Sequence, residues 1–305
     1  MQRFLIRRFV LTIFTLLAVS VIIFAMARIS GDPRTMMLGD FYTQEQYENV
    51  GRKLGLDKSN YEQYWVFLKG MLQGDFGTSI KEGRPAGEVI GKRFMATFEL
   101  GMAAFLFSIV VGVPLGILSS VKRGSIFDQI GKIVALIGQS APSFWLGIML
   151  IFFFAVRLEW VPPSGRQEWN SIFLPAVTLG WFLVAANMRL VRSAMLDVLD
   201  SEYIKLARAK GVSSTSLIWK HALRNAMIPP LTFAGVTLGN LVAGSVTTEL
   251  VFAWPGLGLL AIQSTLVSDY PVLQGVVIIF TLLYVAAAFL VDVLYAYIDP
   301  RIRYA

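Results

Sequence analysis

The 305-residue chain has no cysteine and a single histidine. Disulfides, thiolate metal sites, cysteine nucleophiles and multi-histidine metal centres are thereby excluded. No G-x-x-x-x-G-K-[ST] stretch occurs, so the chain has no phosphate loop for ATP. Charge is scarce as well: Asp, Glu, Lys and Arg make up 15% of the residues, against about a quarter in a soluble domain. Six stretches carry no charge at all, namely Phe9–Ala27, Leu100–Val121, Ile133–Val156, Trp169–Met188, Asn225–Thr248 and Tyr270–Val291, each 19 to 24 residues long. About 20 residues of helix cross a hydrocarbon core, which predicts an all-α, six-span membrane protein.

Two stretches need separate treatment. Arg3, Arg7 and Arg8 ahead of the first run, and Ala25-Met26-Ala27 at its end, have the layout of a secretory leader. The apolar core of 19 residues exceeds the usual length of about 7 to 15, which points to an uncleaved anchor. A seventh charge-free stretch, Leu250–Ser268, contains Pro255, Gly256 and Gly258. It reads as a loop or re-entrant segment, because broken backbone at membrane depth survives only against protein or water.

Basic residues orient the spans. With the N-terminus in the cytoplasm, fifteen Lys and Arg fall on inner segments, while the short outer loops hold only Arg157 and Arg166. Six spans with both termini cytoplasmic satisfy the bias towards inner positive charge. The net charge of +7 then reports topology; a nucleic-acid surface would gather the basic residues on one soluble face.

The chain divides on this reading into a cytoplasmic N-terminus and first span (1–28), a folded outer loop (29–97) and a five-span core (98–305) with cytoplasmic helices at about 200–226. In the outer loop, Thr43 and Gln46 form a capping box before a helix that Gly55 stops. A second helix over Tyr61–Leu72 carries Tyr61, Tyr64, Trp65, Leu68, Met71 and Leu72 at helical spacing, a face expected to pack on the membrane domain. Inside the core, Gly112-x-x-x-Gly116 and Gly235-x-x-x-Gly239 permit close helix approach. Ser140-Ala141-Pro142-Ser143 interrupts the third run. Proline frees an upstream carbonyl there, and Ser140, Pro142, Ser143 and Asn240 are candidates for lining a pore, with a purely structural kink as the alternative. Glu99, Glu249 and Asp292 lie near span ends, where carboxylates cost little. His221 reads as a hydrogen-bonding surface or interface residue.

The stretch "EYIKLARAKG", Glu202–Gly211, puts four charges into ten residues between apolar runs. Ser201 is placed to cap a short helix, Glu202 suits its positive end, Arg208 and Lys210 its negative end, and Gly211 its stop. Ala207 and Ala209 leave its surface low. A second helix from Ser213 or Ser214 through Trp219 to Ala226 ends at Pro229-Pro230, making a helical hairpin. Two readings stay open for it: a basic loop on anionic headgroups, or a docking element for a soluble partner.

These residues, with "HALRNAMIP" at His221–Pro229, resemble the cytoplasmic coupling signature of ABC importer permeases of the dipeptide, oligopeptide and nickel branch. Other matching pieces are "GDP" at Gly31–Pro33, "GDFGTSI" at Gly74–Ile80, "PSFWLG" at Pro142–Gly147, "WVPPSG" at Trp160–Gly165, "FAWPGLG" at Phe252–Gly258, "DYP" at Asp269–Pro271 and "DPRIRY" at Asp299–Tyr304. The chain resembles the B-type subunit with its large first outer loop, and dipeptide and glutathione permeases in particular. Lys205 and Leu206 replace the Glu-Ala of the general permease signature, and Pro229 comes 18 residues after Gly211, later than in that signature; both features are similar to the peptide branch.

The resemblance implies a type I importer permease fold in a bacterial inner membrane. It implies a homologous second permease, two ATPase subunits holding ATP and magnesium, a periplasmic substrate-binding protein, and no cofactor or catalytic residue in this chain. It places ATPase coupling on Glu202, Tyr203, Leu206, Ala207, Arg208, Ala209 and Gly211. Trp254, Pro255 and Gly256 become candidates for contact with the binding protein or for an outer gate. Peptides are the expected cargo, with nickel chelates, opines and oligosaccharides as alternatives. An ion-coupled secondary transporter would need ionisable groups near midspan, which the six runs lack.

Overall fold

The structure, a computed structural model, describes residues 2–29, 32–38, 41–53 and 55–298; the side chains of residues 2–5, 33, 36–37, 53, 232, 236, 238–240, 242–244, 292 and 294–298 are not described. The "DPRIRY" segment and Gly31 therefore lie outside the described residues. Among those described there is no strand, only an isolated bridge between Thr78 and Pro85.

The helices in order are α1 (Gln2–Ile29), α2 (Pro33–Leu38), α3 (Gln44–Lys53), α4 (Asn60–Leu72), α5 (Ala86–Val121), α6 (Ile126–Ser140), α7 (Ser143–Leu150), α8 (Phe173–Leu199), α9 (Glu202–Ala209), α10 (Ser214–Ser216), α11 (Leu223–Ala226), α12 (Ile228–Val251), α13 (Leu257–Leu266) and α14 (Tyr270–Ile298). Wider π-helical turns extend α7 over Ile151–Arg157 and join α10 to α11 over Leu217–Ala222. Among the described residues, segments in α1, α5, α8 and α14 are long and apolar enough to cross a membrane, and α6 with α7 makes a fifth, broken candidate. The fifth charge-free run, Asn225–Thr248, falls largely on α12, a 24-residue helix.

The break between α6 and α7 is a bend of 111°, much sharper than the kink expected of one proline. Ala141 and Pro142 both take extended backbone, because the Pro142 ring denies the preceding residue a helical conformation. Leu250–Ser268 holds the short helix α13, whose ten residues are too few to span and fit a re-entrant segment as well as a loop. The second hairpin arm ends at Ala226, just before Pro229 and Pro230, which occupy the first turn of α12, where a missing N–H costs nothing.

The chain forms two compact units, Met1–Thr97 with Pro255–Phe289, and Phe98–Trp254 with Leu290–Ala305. In the first, Ile90 of α5, Leu257 and Leu260 of α13 and Val272 and Val276 of α14 form a buried core with Ala86 and Val89. Each such side chain contributes about 1.5–3 kcal/mol. Thr97 Oγ1 accepts from Leu257 N at 2.7 Å, satisfying an amide at the start of α13. In the outer loop, Thr43 N donates to Gln46 Oε1 at 2.9 Å and Gln46 N to Thr43 Oγ1 at 3.3 Å, the expected capping box. A second box, Ser59 with Glu62, starts α4. Asp32 accepts both from Arg34 Nε and from the Tyr47 hydroxyl. The Arg34 guanidinium, with Tyr47, holds the Asp32 carboxyl well below the usual carboxylate range.

In the second unit α8 is the central helix, packed by α5, α6, α7 and α12. Gly112 and Gly116 of α5 meet its backbone: a Cβ on Gly112 would lie 2.9 Å from the Val184 carbonyl oxygen, and one on Gly116 2.7 Å from that of Met188. No larger residue permits that approach. Asn187 of α8 donates to Ser108 of α5 at 3.3 Å in the same interface.

Candidate coupling element and translocation path

Helix α9 is anchored by Ile204, with Ala207 partly inward, and exposes its other residues. Ile204 is fully buried, against Ile117 of α5, Val191 and Met195 of α8, and Leu217, Ala222 and Ala226 of the second hairpin arm. Its neighbours Glu202, Tyr203, Lys205, Leu206, Arg208 and Ala209 are exposed, while Ala207 is half-buried against the same core. Of the seven residues expected to couple, six including Gly211 thus form an open surface, and Ala207 faces partly inward. Ile204 was not among them; its position among charged residues hid the single apolar side that docks.

The hairpin arms are tied by polar bonds at the rim. Asn225 Nδ2 donates to the Tyr203 hydroxyl at 2.8 Å, and that hydroxyl donates to the His221 carbonyl at 3.4 Å. Ser201 stands at the N-cap position, but its hydroxyl donates to the Val198 carbonyl and accepts nothing from α9. The expected side-chain cap is therefore absent: Ser201 closes the preceding helix. Ser213 caps the second arm, accepting from Ser216 N at 3.4 Å. Gly211 has φ +80° with open space where a Cβ would stand. The left-handed backbone selects glycine there, and crowding plays no part.

Beside this core lies a cluster that spacing along the chain did not suggest. Asp128, at the start of α6 and 1% exposed, accepts from Ser119 Oγ of α5 at 2.6 Å, Gly124 N at 3.1 Å and Arg192 Nε of α8 at 2.8 Å, with Lys132 Nζ at 3.0 Å. A buried carboxylate persists only when paired and hydrogen-bonded in this way. It joins α5, α6 and α8, with Ser119 and Arg192 within one helical turn of Ile117 and Val191, which seat Ile204.

Of the candidate path residues, Ser143 lines a cleft of about 320 Å³ with Thr178 and Phe182 of α8 and Thr237 and Leu241 of α12. Thr178 is buried and its hydroxyl has no partner among the described residues. Ser140 and Pro142 are exposed at the bend and do not line that cleft; Asn240 lies on α12 with its side chain outside the described residues. No charged group borders the cleft.

In the third group of candidates, Trp254 is 1% exposed and Gly256 is buried, with Pro255 half-buried, so the indole offers no open surface for a binding protein, while a place in an outer gate needs none. Arg166, paired with Glu99 at 2.6 Å, stands 5.9 Å from the Trp254 ring centroid. The exposed residue of this turn is Ala253, at φ +47°. Among the described residues no group of His, Asp and Glu is arranged to hold a metal ion.

Residues 112–304 match the family described as the binding-protein-dependent transport system inner membrane component, and residues 1–101 match its N-terminal membrane component. The chain is 40% identical over 305 residues to the glutathione transport system permease protein GsiC of Escherichia coli strain K12, covering all of both chains, and equally to that of Salmonella typhi. Its fold is similar to the MetNI methionine ABC transporter in an inward-facing conformation, at TM-score 0.58 and 24% identity over 69% of this chain and 96% of that one. It is also similar to an amino acid ABC transporter crystallised with histidines, at TM-score 0.56 and 12% identity over 69% and 94% of the two chains. The chain belongs to the binding-protein-dependent transport system inner membrane components, the multi-pass membrane subunits of ABC importers, whose ATP hydrolysis resides in partner subunits.

Proposed function

We propose that this chain, paired with a homologous second permease, two ATPase subunits holding ATP and magnesium, and a periplasmic binding protein, imports glutathione or other short peptides. The observation that carries the cargo class is the identity over the whole chain with a permease named for glutathione. Residues 29–97 act as a folded outer-face element, and the remaining spans of 98–305 as the moving core with coupling helices at about 200–226.

Coupling runs through α9. ATP binding closes the ATPase dimer, and a short helix seated in an ATPase groove carries that displacement inward as a rocking of the spans. Glu202, Tyr203, Leu206, Arg208 and Ala209 supply the docking surface, Ala207 and Gly211 its shape. The burial of Ile204 supports this reading, because a helix anchored on α5 and α8 transmits force without slack. Ser143, Thr178 and Thr237 offer hydroxyls to uncharged amide groups in transit, which suits a path that selects little while the binding protein selects.

Reconstitution of the complete complex in proteoliposomes tests the proposal. ATP-driven, binding-protein-dependent accumulation of glutathione or a dipeptide is expected. Accumulation of a nickel chelate, an opine or an oligosaccharide with no peptide uptake would overturn the cargo class and leave the family assignment intact.

A further inference from the structure

Helix α4 turns part of its apolar surface away from the protein. Tyr64 and Phe67 pack on α1: the Tyr64 ring meets Phe24 edge-on at 5.5 Å, Phe67 lies 5.8 Å from Phe24, and the Tyr64 hydroxyl is 3.0 Å from Ser20 Oγ. Tyr61 and Leu72 are each 77% exposed, Trp65 and Val66 each 60%. Water would be a poor solvent for such a face.

The register on α1 identifies a different solvent. The apolar span runs Ile6–Ile29, and α4 contacts it at Ser20, Phe24 and the Arg28 level. At 1.5 Å rise per residue, Phe24 lies only about 8 Å from the outer end of the span. That is the depth at which hydrocarbon gives way to headgroups, where Trp and Tyr concentrate and amphipathic helices lie in the membrane plane.

A cleft of about 360 Å³ opens beside this face. Arg28, Arg52 and Lys58 line it with the single carboxylate Asp75, and Val66 and Phe67 form an apolar wall. None of the three cations makes an ion pair among the described residues. Gln63, also at the cleft, donates Nε2 to the Lys58 carbonyl at 2.8 Å, while its Oε1 is buried with no partner among the described residues. Cations for a phosphate, an amide oxygen for a hydroxyl or ammonium and an apolar wall for acyl carbon match the parts of one phospholipid.

We propose that α4 is an interfacial helix embedded in the outer leaflet, and that the adjoining cationic cleft binds the phosphate of a phospholipid headgroup. The chain's lack of cysteine makes the test clean. Single-cysteine variants Trp65→Cys, on this face, and Glu45→Cys, on α3, are labelled with a fluorophore in full-length protein in phosphatidylglycerol-containing vesicles. Nitroxide-bearing lipid should quench the label at position 65 at least fivefold more than at 45, and a water-soluble maleimide should react correspondingly more slowly there. Equal quenching and equal reactivity overturn the membrane placement. Protection at position 65 that arises only on adding the binding protein overturns it too, by assigning the face to a protein partner. For the cleft, native mass spectrometry should find phosphatidylglycerol retained by the parent and lost from the triple variant R28Q/R52Q/K58Q, with Trp65→Cys quenching unchanged. Equal retention overturns the headgroup site.

Discussion

Ser79 donates its hydroxyl to the carboxylate of Asp269, 190 residues later in the chain, and the same carboxylate accepts from the amides of Ile80 at 3.1 Å and Lys81 at 3.3 Å. Both side chains are 2% exposed. Two segments far apart in the sequence, "GDFGTSI" and "DYP", are halves of one clasp: a carboxylate before α14 organises the turn before α5.

Replacing Asp269 by Ala leaves that hydroxyl and two amides short of acceptors. Charge-assisted bonds of this kind contribute about 1.5–3 kcal/mol, and orphaned buried donors add to the loss. Thermal unfolding of the purified protein should show a clear drop in midpoint for Asp269→Ala and a smaller one for Ser79→Ala. Parent-like midpoints in both variants refute the clasp.

The Asp128 cluster predicts coupling between two sites distant in sequence. Asp128→Ala leaves the Arg192 guanidinium, itself partly buried, without its carboxylate, at a cost of about 3 kcal/mol. Arg192→Ala strands a buried carboxylate and costs a similar amount. In a double-mutant cycle the pair should lose less than the sum by more than about 1 kcal/mol; additive losses argue against a shared cluster.

Anchor and surface of α9 separate by mutation. Ile204→Ala opens a cavity in the core under the hairpin and should lower stability by about 2–4 kcal/mol. Leu206→Ala removes a side chain that is 57% exposed, leaving folding within about 0.5 kcal/mol while reducing ATP-driven uptake in the assembled complex. Full uptake by the Leu206 variant would falsify a docking role for that surface.

At Gly211 the expected loss comes from backbone geometry alone. Any β-carbon there stands in open space, yet a left-handed backbone costs an L-residue about 1–2 kcal/mol. Gly211→Asn, which tolerates that conformation, should retain more uptake than Gly211→Val. The reverse order would show that size at this position, and not φ, is what matters.

The outer loop should respond to acid through Asp32. Its pKa is lowered on folding by the Arg34 guanidinium and the Tyr47 hydroxyl, so its stabilisation is present above the ordinary carboxylate value of about 4. It is lost progressively as pH falls below that value towards the depressed one. Limited proteolysis of the outer loop by an acid protease should accelerate as pH falls from about 4 to about 2, and Asp32→Asn should be fast throughout. A parent and variant with identical pH profiles would discount this group.

Much of the architecture was readable from hydropathy, because charge is excluded from hydrocarbon whatever the fold around it. Five of the six uncharged runs fall mainly on a single helix and the third on the broken pair α6 and α7, and the Thr43 capping box needs only residues three apart. Local signals misled where a side chain had a choice of partners. Ser201 has the right type and position for a cap, but its hydroxyl donates back to the Val198 carbonyl and accepts no amide of α9. Trp254, an exposed-looking aromatic in a Pro-Gly turn, is buried, and that depends on neighbours such as Arg166 that are far away along the chain.

The sequence by itself determined the class of molecule, the number and polarity of its apolar runs, and the exposed charged hairpin, since each follows from transfer free energies and local geometry summed over adjacent residues. Only the tertiary structure decided that Ile204 seats the hairpin, that Asp128 meets Arg192 and that Asp269 holds Ser79. Those relationships arise from burying a charged or apolar group against partners brought from 9 to 190 residues away, and a one-dimensional pattern carries no term for such distances.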